Sequence, residues 1–467
     1  MSTPENEQQV DRPVDRPDDA TLHEHLAAAR WFGGKGRDFA IGPVQRLGEL
    51  GGGSVVLWVV EVRYLGAPDD EVEHYQLPLA LHDAPVERLE HALVGPVVRA
   101  DGTPGVAYDA VHDRDATALL LQAFGADGSE TPDGLRFVRV PGHDLDLEAT
   151  GSPFSGEQSN SSVFYGEDAV LKLFRKLTPG ENPDIAIHRV LTEAGSTHVA
   201  SLYGWIEHGD VQLGMLQQFL RTASDGWGLA LASVRNLFAE ADLHAEEVGG
   251  DFAAEAARLG EALHEIHAQL RESFPTASVP GHELAATMTD RLRHATSVVP
   301  ELEEHAAAAE AVFAALGDLG EIATQRVHGD LHLGQTLRTT AAWKLVDFEG
   351  EPAKTLAERL LPDAPWRDVA GLTRSFDYAP HAVAASLADD DPDVLLQRAV
   401  RAKEWARRNR KAFLAAYCGE GGFGEVDRAI LTAYVVDKAV YECVYEARNR
   451  PTWLSIPLAG IARLTAG

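Results

Sequence analysis

A chain of 467 residues is too long for a single ordinary core and implies two or three subdomains. Its 45% apolar and 24% charged residues are those of a globular protein in water. With 72 acidic against 41 basic residues the formal charge is −31, a surface that repels nucleic acid and anionic membranes and excludes both as principal partners. The two cysteines, Cys418 and Cys443, make no disulfide framework and lack metal-ligand spacing, so a reducing cytoplasm is expected. Residues 1–20 are polar, acidic and proline-bearing, which predicts a disordered tail rather than a signal peptide. No apolar run reaches the roughly 18 residues of a membrane span.

Residues 22–30 predict a short alanine-rich helix, and Arg30-Trp31-Phe32-Gly33-Gly34-Lys35-Gly36-Arg37 follows it. Glycines interleaved with cations suit a phosphate cradle; the other reading is a turn that anchors the helix to a sheet through Trp31 and Phe32. Residues 54–64 and 74–81 read as strands, so 21–145 predicts a small α+β unit. From Phe137 the pattern changes. Gly156-Glu157-Gln158-Ser159-Asn160-Ser161-Ser162 leads into a turn at 166–168 and then Ala169-Val170-Leu171-Lys172-Leu173, a hairpin with a hydroxyl-rich loop and one inward lysine. Ser159, Asn160, Ser161 and Ser162 offer backbone N–H groups and hydroxyls to phosphates, and a strand lysine in that place meets the α- and β-phosphates in kinase-like folds.

A helix over 183–194 supplies an acid for Lys172, either Asp184 or Glu193. Strands follow at 199–206 and 211–219, and residues 217–221, with Gln218 and Leu220, form the hinge whose backbone meets adenine. Apolar residues at helical spacing then mark 252–270 and 301–316.

Val327-His328-Gly329-Asp330-Leu331-His332-Leu333-Gly334-Gln335 and Leu345-Val346-Asp347-Phe348-Glu349-Gly350-Glu351-Pro352 carry the chemistry. Phosphoryl transfer needs a carboxylate that orients and deprotonates the attacking hydroxyl, and oxygen ligands that hold Mg²⁺ against the nucleotide. Asp330, an amide five residues on at Gln335, and Asp347 before Phe348 supply these in the order used by protein-kinase-like enzymes. The bland reading, two unrelated acidic turns flanking a hairpin, requires both halves to coincide in order by chance. Further helices are predicted from Asp368, over 393–418 and over 426–448. The last places Tyr441 and Tyr445 on one face with Asp437 or Lys438, and Glu442 with Glu446 beside them. Tyrosines among carboxylates suit a sugar; an ordinary amphipathic helix with tyrosines at the core edge is the alternative.

The Asp330 and Asp347 segments resemble the aminoglycoside-phosphotransferase branch of the kinase superfamily. Together with Arg30-Trp31-Phe32, the 157–162 loop, Arg367-Asp368-Val369-Ala370-Gly371, Arg374-Ser375-Phe376-Asp377-Tyr378 and residues 441–451, they resemble the maltokinase-like sugar kinases over about residues 21–463. The resemblance implies an α+β, protein-kinase-like bilobal fold with a small β-rich lobe, a large helical lobe and an amino-terminal α+β cap. The expected division is 1–20 tail, 21–145 cap, 146–222 small lobe and 223–467 large lobe.

By the same resemblance Asp330 is the catalytic base, Gln335 and Asp347 hold Mg²⁺, and Lys172 meets the phosphates of ATP. Glu349 is a further metal ligand or supporting acid. His332 and the Asp437, Lys438, Tyr441, Glu442, Tyr445 and Glu446 helix face the sugar. Members of this family phosphorylate maltose at its anomeric hydroxyl for α-glucan synthesis, or glucosamine at its 6-hydroxyl. Maltose is placed first here because the paired tyrosines suit a disaccharide. A complex with an α-glucan or trehalose-metabolising enzyme is a further implication. A catalytically silent kinase-like regulator is the reading from another class. Relatives carry an acid nearer to Ala186 than this chain does, which leaves the partner of Lys172 open between the two candidates.

Overall fold

The computed structural model describes residues 14–465, apart from 67, 69, 70, 127, 155, 157, 158, 241, 352, 353 and 388–390. The expected tail falls outside the described residues as far as 13. Its remainder is ordered: Val14 bridges to Val98, and Asp18 caps the helix Asp19–Ala28 by accepting the Thr21 N–H at 2.9 Å. The chain divides into two compact units, one running to Ile185 and including Ser201–Arg221, the other Ala186–Ala200 with Thr222 onward. The first is β-rich and the second helical, as expected. The hinge expected at 217–221 immediately precedes the passage from one unit to the other.

The first unit contains two antiparallel sheets. In one, Phe39–Leu50, Val55–Tyr64, Val72–His82, Pro104–Asp109 and Leu93–Val98 lie in that order, and Lys176–Leu177 adds to Val72–His82. Phe39–Leu50 was not legible as a strand, because register shifts at Ile41/Val44 and Arg46/Gly48 break the alternation that marks a regular one. Phe32 is buried and packs 4.8 Å from Phe39 and 5.0 Å from Tyr75, ring to ring, while the Gly33 N–H donates to the Tyr75 hydroxyl at 3.2 Å. The Arg30–Arg37 segment therefore anchors the first helix to the sheet.

The second sheet runs Leu135–Arg139, Leu202–His208, Val211–Gln218, Ala169–Leu173, Ser161–Tyr165, Gly151–Pro153. Its core is shared with the helix Arg114–Ala123, whose Leu120 and Leu121 are buried with Phe124 among Leu171, Leu173 and Met215. Residue 145 is accordingly not an edge between cores: Leu135–Arg139, upstream of it, is a strand of the second sheet.

In the helical unit the central element is Trp366–Ser386, which packs along Glu425–Asn449 and Pro392–Cys418. It buries Asp368, Thr373, Arg374, Ser375 and Asp377 as well as its apolar residues, so its polar groups must be paired internally. Among the described residues no helix is long and apolar enough to cross a membrane.

Candidate active site

The loop 327–335 is shaped by the face of Trp366–Ser386 on which Asp368, Gly371 and Ser375 recur at helical spacing. The Asp368 carboxylate accepts the backbone N–H of His328 and of Gly329, both at 2.8 Å, and the Ser375 hydroxyl accepts that of Leu333 at 3.1 Å. A Cβ on residue 371 would lie 2.1 Å from the Leu331 carbonyl oxygen, so only glycine lets the helix approach this loop. Asp368 is fully buried and meets His267 Nε2 at 3.0 Å. Burial alone would raise its carboxyl, but the bond and charge of His267 hold it below the usual 3.8. Arg367 Nε donates to the Gly329 carbonyl at 2.9 Å, and its guanidinium also holds Glu351 and Asp363. Gly329 itself sits at φ +87, a left-handed turn that favours glycine directly before Asp330.

Gln335 and Asp347 are brought together by a hairpin. Thr336–Arg338 pairs antiparallel with Trp343–Leu345, and the chain returns so that Gln335 Nε2 donates to Asp347 Oδ2 at 3.0 Å. Asp347 adopts φ +68, which is uncommon for a non-glycine residue and typical of functional positions. Carboxylate oxygens of Asp347 and Glu349 lie within 4.8 Å of one another. His328 fixes the return: its Nε2 lies 3.0 Å from the Val346 carbonyl, while Nδ1 accepts the Asp330 N–H at 3.4 Å.

Asp330 Oδ1 is met by Lys438 Nζ at 2.9 Å. Burial alone would lower the Lys438 ammonium, yet Asp330 and Glu442 hold it above its ordinary 10.5. Beside this pair is a pocket of about 450 Å³ walled by Arg291, Glu351, Arg367, Tyr434, Asp437 and Tyr441. Arg291 grips Asp437 through two bonds of 2.9 and 2.6 Å, and Tyr434 donates to Asp363 at 2.6 Å. The expected acceptor residues therefore divide. Asp437, Lys438 and Tyr441 face the pocket. Glu442 instead accepts two bonds from the buried Arg374, at 2.9 and 2.6 Å, and Glu446 is buried against Arg450 at 2.8 Å. Tyr445, one turn beyond Tyr441, is 44% exposed and does not wall the pocket. His332 is turned into its own loop, where Nδ1 accepts the Gly334 N–H at 3.0 Å, and burial keeps its imidazole below 6.5. Helical spacing alone does not say which of two adjoining faces meets the loop, so this division was not legible.

In the first unit Lys172 Nζ meets Asp184 Oδ2 at 3.0 Å, which settles its partner as Asp184 rather than Glu193. Asp184 is nearly fully buried and sits in the first turn of Pro183–Glu193, where a carboxylate is favoured by the helix dipole. Ser162 lies directly opposite Lys172 in the sheet. Asn160 Oδ1 and Ser161 Oγ accept from Arg175, at 3.3 and 2.7 Å. Ser159 precedes them; Glu157, Gln158 and, in the other segment, Pro352 lie outside the described residues. The Gln218 N–H is taken by the Ser201 carbonyl at 2.8 Å, and Leu220 is half-buried just past that strand.

Arg291 and Tyr434 were not singled out from the sequence, and Arg367, Asp368, Gly371 and Ser375 entered only as motif residues with no role assigned. The signal available was a run of polar residues on an otherwise apolar helix.

A strand lysine held by a helix carboxylate in the first unit, and a loop carboxylate and a hairpin aspartate in the second, are parts that kinase-like phosphotransferases carry in this chain order. The phosphotransferase enzyme family model matches residues 150–413, and the maltokinase N-terminal cap domain model matches 25–113. The chain is 30% identical over 386 residues to a glucosamine kinase of Streptacidiphilus jiangxiensis, covering 78% of this chain and 83% of that one. It is 30% identical over 329 residues to a glucosamine kinase of Mycolicibacterium smegmatis, covering 67% and 79%. Among solved structures, glucosamine kinase in complex with glucosamine, ADP and inorganic phosphate aligns with a TM-score of 0.66 at 21% identity, over 97% of this chain and 100% of that one. A second crystal form of glucosamine kinase gives 0.69 at 21% identity, over 97% and 99%. These likenesses show the fold. The chain belongs to the phosphotransferase enzyme family and carries a maltokinase-type cap: it is an ATP-dependent phosphotransferase acting on an alcohol group.

Proposed function

We propose that this protein phosphorylates a small sugar with ATP, and that the sugar is glucosamine. The observation that carries the reading is the Asp330–Lys438 pair beside a pocket of about 450 Å³ whose wall alternates guanidinium and carboxylate groups. Such a wall offers hydrogen-bond donors and acceptors to the hydroxyls of a sugar ring. The 30% identity to two glucosamine kinases supports the amino sugar, so maltose, placed first on the sequence, stands second. What still favours maltose is the Tyr441–Tyr445 stripe, 37% and 44% exposed, along which an outer ring would stack.

In this scheme Asp330 orients the acceptor hydroxyl and takes its proton, and Lys438 holds the carboxylate in place. Lys172, braced by Asp184, faces the nucleotide phosphates; residues 159–162 enclose them; and the backbone near Gln218 and Leu220 receives adenine. The amide oxygen of Gln335 with the carboxylates of Asp347 and Glu349 is a hard oxygen set suited to Mg²⁺, which when bound neutralises charge on the phosphates. A silent regulator has no need of this complete set.

Phosphorus NMR over a sugar panel tests the acceptor. The expected product is a phosphomonoester at the 6-hydroxyl of glucosamine; turnover of maltose without glucosamine would replace this reading with the second one.

A further inference from the structure

The helical unit holds a second cavity, of about 850 Å³ including its open mouth, where Trp366–Ser386, Pro392–Cys418, Ser455–Thr465 and the end of Gly226–Ala239 meet. None of its residues enters the transfer scheme. Room is left because the facing residues are small: Ala399, Ala402 and Ala406 recur at helical spacing on one face of Pro392–Cys418. Phe238, Pro380, Leu395 and Ile456 complete an apolar wall. The charge here is the reverse of the molecule's. In a chain of net charge −31, Arg374, Arg398, Lys403 and Arg463 line this cavity, and of the described residues lining it only Asp377 is acidic. That carboxylate is already divided among three guanidinium groups, accepting from Arg374 at 3.1 Å, Arg410 at 2.6 Å and Arg463 at 2.7 Å. Glu442 takes the other side of Arg374, which leaves Arg410 and Arg463 to share Asp377. Burial, with the charges of Arg463 and Arg374, holds Arg410 below its ordinary 12.5 against the pull of Asp377.

We propose that this cavity is a regulatory site for a small organic anion, a carboxylate or phosphate head on an apolar body. The head meets guanidinium forks, which pair with either group through two parallel bonds, and the body lies against the alanines. Arg374, 1% exposed, joins the site to the acceptor machinery. Its Nε and Nη2 donate to Glu442 at 2.9 and 2.6 Å, and Glu442 lies one turn beyond Lys438, the partner of Asp330. Gly460 lets the last helix close on this arginine, since a Cβ there would lie 2.4 Å from Nη1. An anion that draws the guanidinium toward the cavity loosens its grip on Glu442. The freed carboxylate then pulls Lys438 away from Asp330, at the wall of the acceptor pocket. This coupling rests on reading that pocket as the sugar site; the binding does not.

Titration calorimetry on the full chain tests the site with hexyl phosphate and hexanoate, against hexanol and inorganic phosphate. The expected result is saturable binding of an amphiphilic anion at least about tenfold tighter than hexanol or phosphate alone, because head and body each contribute. Which of the two anions binds tighter tells which head the site takes. Lys403→Glu, exposed at the mouth and outside the transfer machinery, should weaken that anion about tenfold and leave turnover in its absence unchanged. In steady-state kinetics the tighter anion should raise KM for the sugar about threefold or more in the wild type, and not in Lys403→Glu. No binding, hexanol as tight as the anions, phosphate as tight as hexyl phosphate, or an affinity unchanged by Lys403→Glu overturns the site. Binding that leaves KM for the sugar unchanged, or an effect that survives Lys403→Glu, overturns its regulatory role. If the wild-type protein turns over no sugar, the kinase reading fails and the regulatory role with it, while calorimetry still decides the site.

Discussion

Asp330 and Lys438 form an ion pair of 2.9 Å in which each side chain is about a quarter exposed. Removing the charge at one end tests the base: Asp330→Asn is expected to lower kcat by roughly 10²–10⁴ while nucleotide binding, read by calorimetry, is retained. Lys438→Met leaves the carboxylate without its brace. It should lower kcat and raise KM for the sugar while leaving KM for ATP unchanged, since Lys438 walls the acceptor pocket. Residues of this kind were legible because the chemistry restricts their type and order. Gln335 and Asp347 meet through one hydrogen bond, whereas Glu442 and Glu446 were expected at the sugar and instead pair with Arg374 and Arg450. Two carboxylates on a helix look alike in sequence whether they meet a ligand or a buried guanidinium.

At the level of elements, the loop owes its shape to one helix. Asp368→Asn replaces an acceptor of two N–H groups with a group that offers one acceptor oxygen and an added donor, deep in the core. It should cost about 2–4 kcal/mol in urea melts and lower kcat more than either KM. Gly371→Ala pushes a methyl into the Leu331 carbonyl, and about 1–3 kcal/mol is expected, read as a lower melting temperature. The long helices 252–270, 301–316, 393–418 and 426–448 were legible to within a few residues because their apolar spacing is regular. The bulged strand Phe39–Leu50 lacked that regularity, and the helix Arg114–Ala123 was not foreseen, so the core it shares with the second sheet was missed.

Over the whole molecule two long-range effects oppose each other on acidification. Burial holds the imidazoles of His25, His112 and His381 below 6.5, so the unfolded chain binds more protons and stability falls as pH drops through about that value. Lower still, Asp368 and Asp377, held below 3.8 by His267 and by Arg374, Arg410 and Arg463 against their burial, lose their contribution as pH falls beneath that point. The charge of −31 works the other way, since neutralising carboxylates relieves repulsion. Salt separates the two. At about 0.5 M, where repulsion beyond a few ångströms is screened, the urea midpoint at pH 5.5 should lie below that at pH 7.5. At pH 7.5, raising salt from about 0.02 to 0.3 M should increase the melting temperature.

The short hairpin between Gln335 and Asp347 carries one more consequence. Its strands are three residues each, and the link between them is only 339–342. Side chains alternate across a ribbon, so lengthening this link by a single residue would rotate the aspartate to the opposite side and break the bond that its carboxylate now accepts from the Gln335 amide N–H. Insertions within those four positions should therefore be tolerated only in pairs, a length rule that saturation insertion with a growth-independent phosphorylation assay would expose.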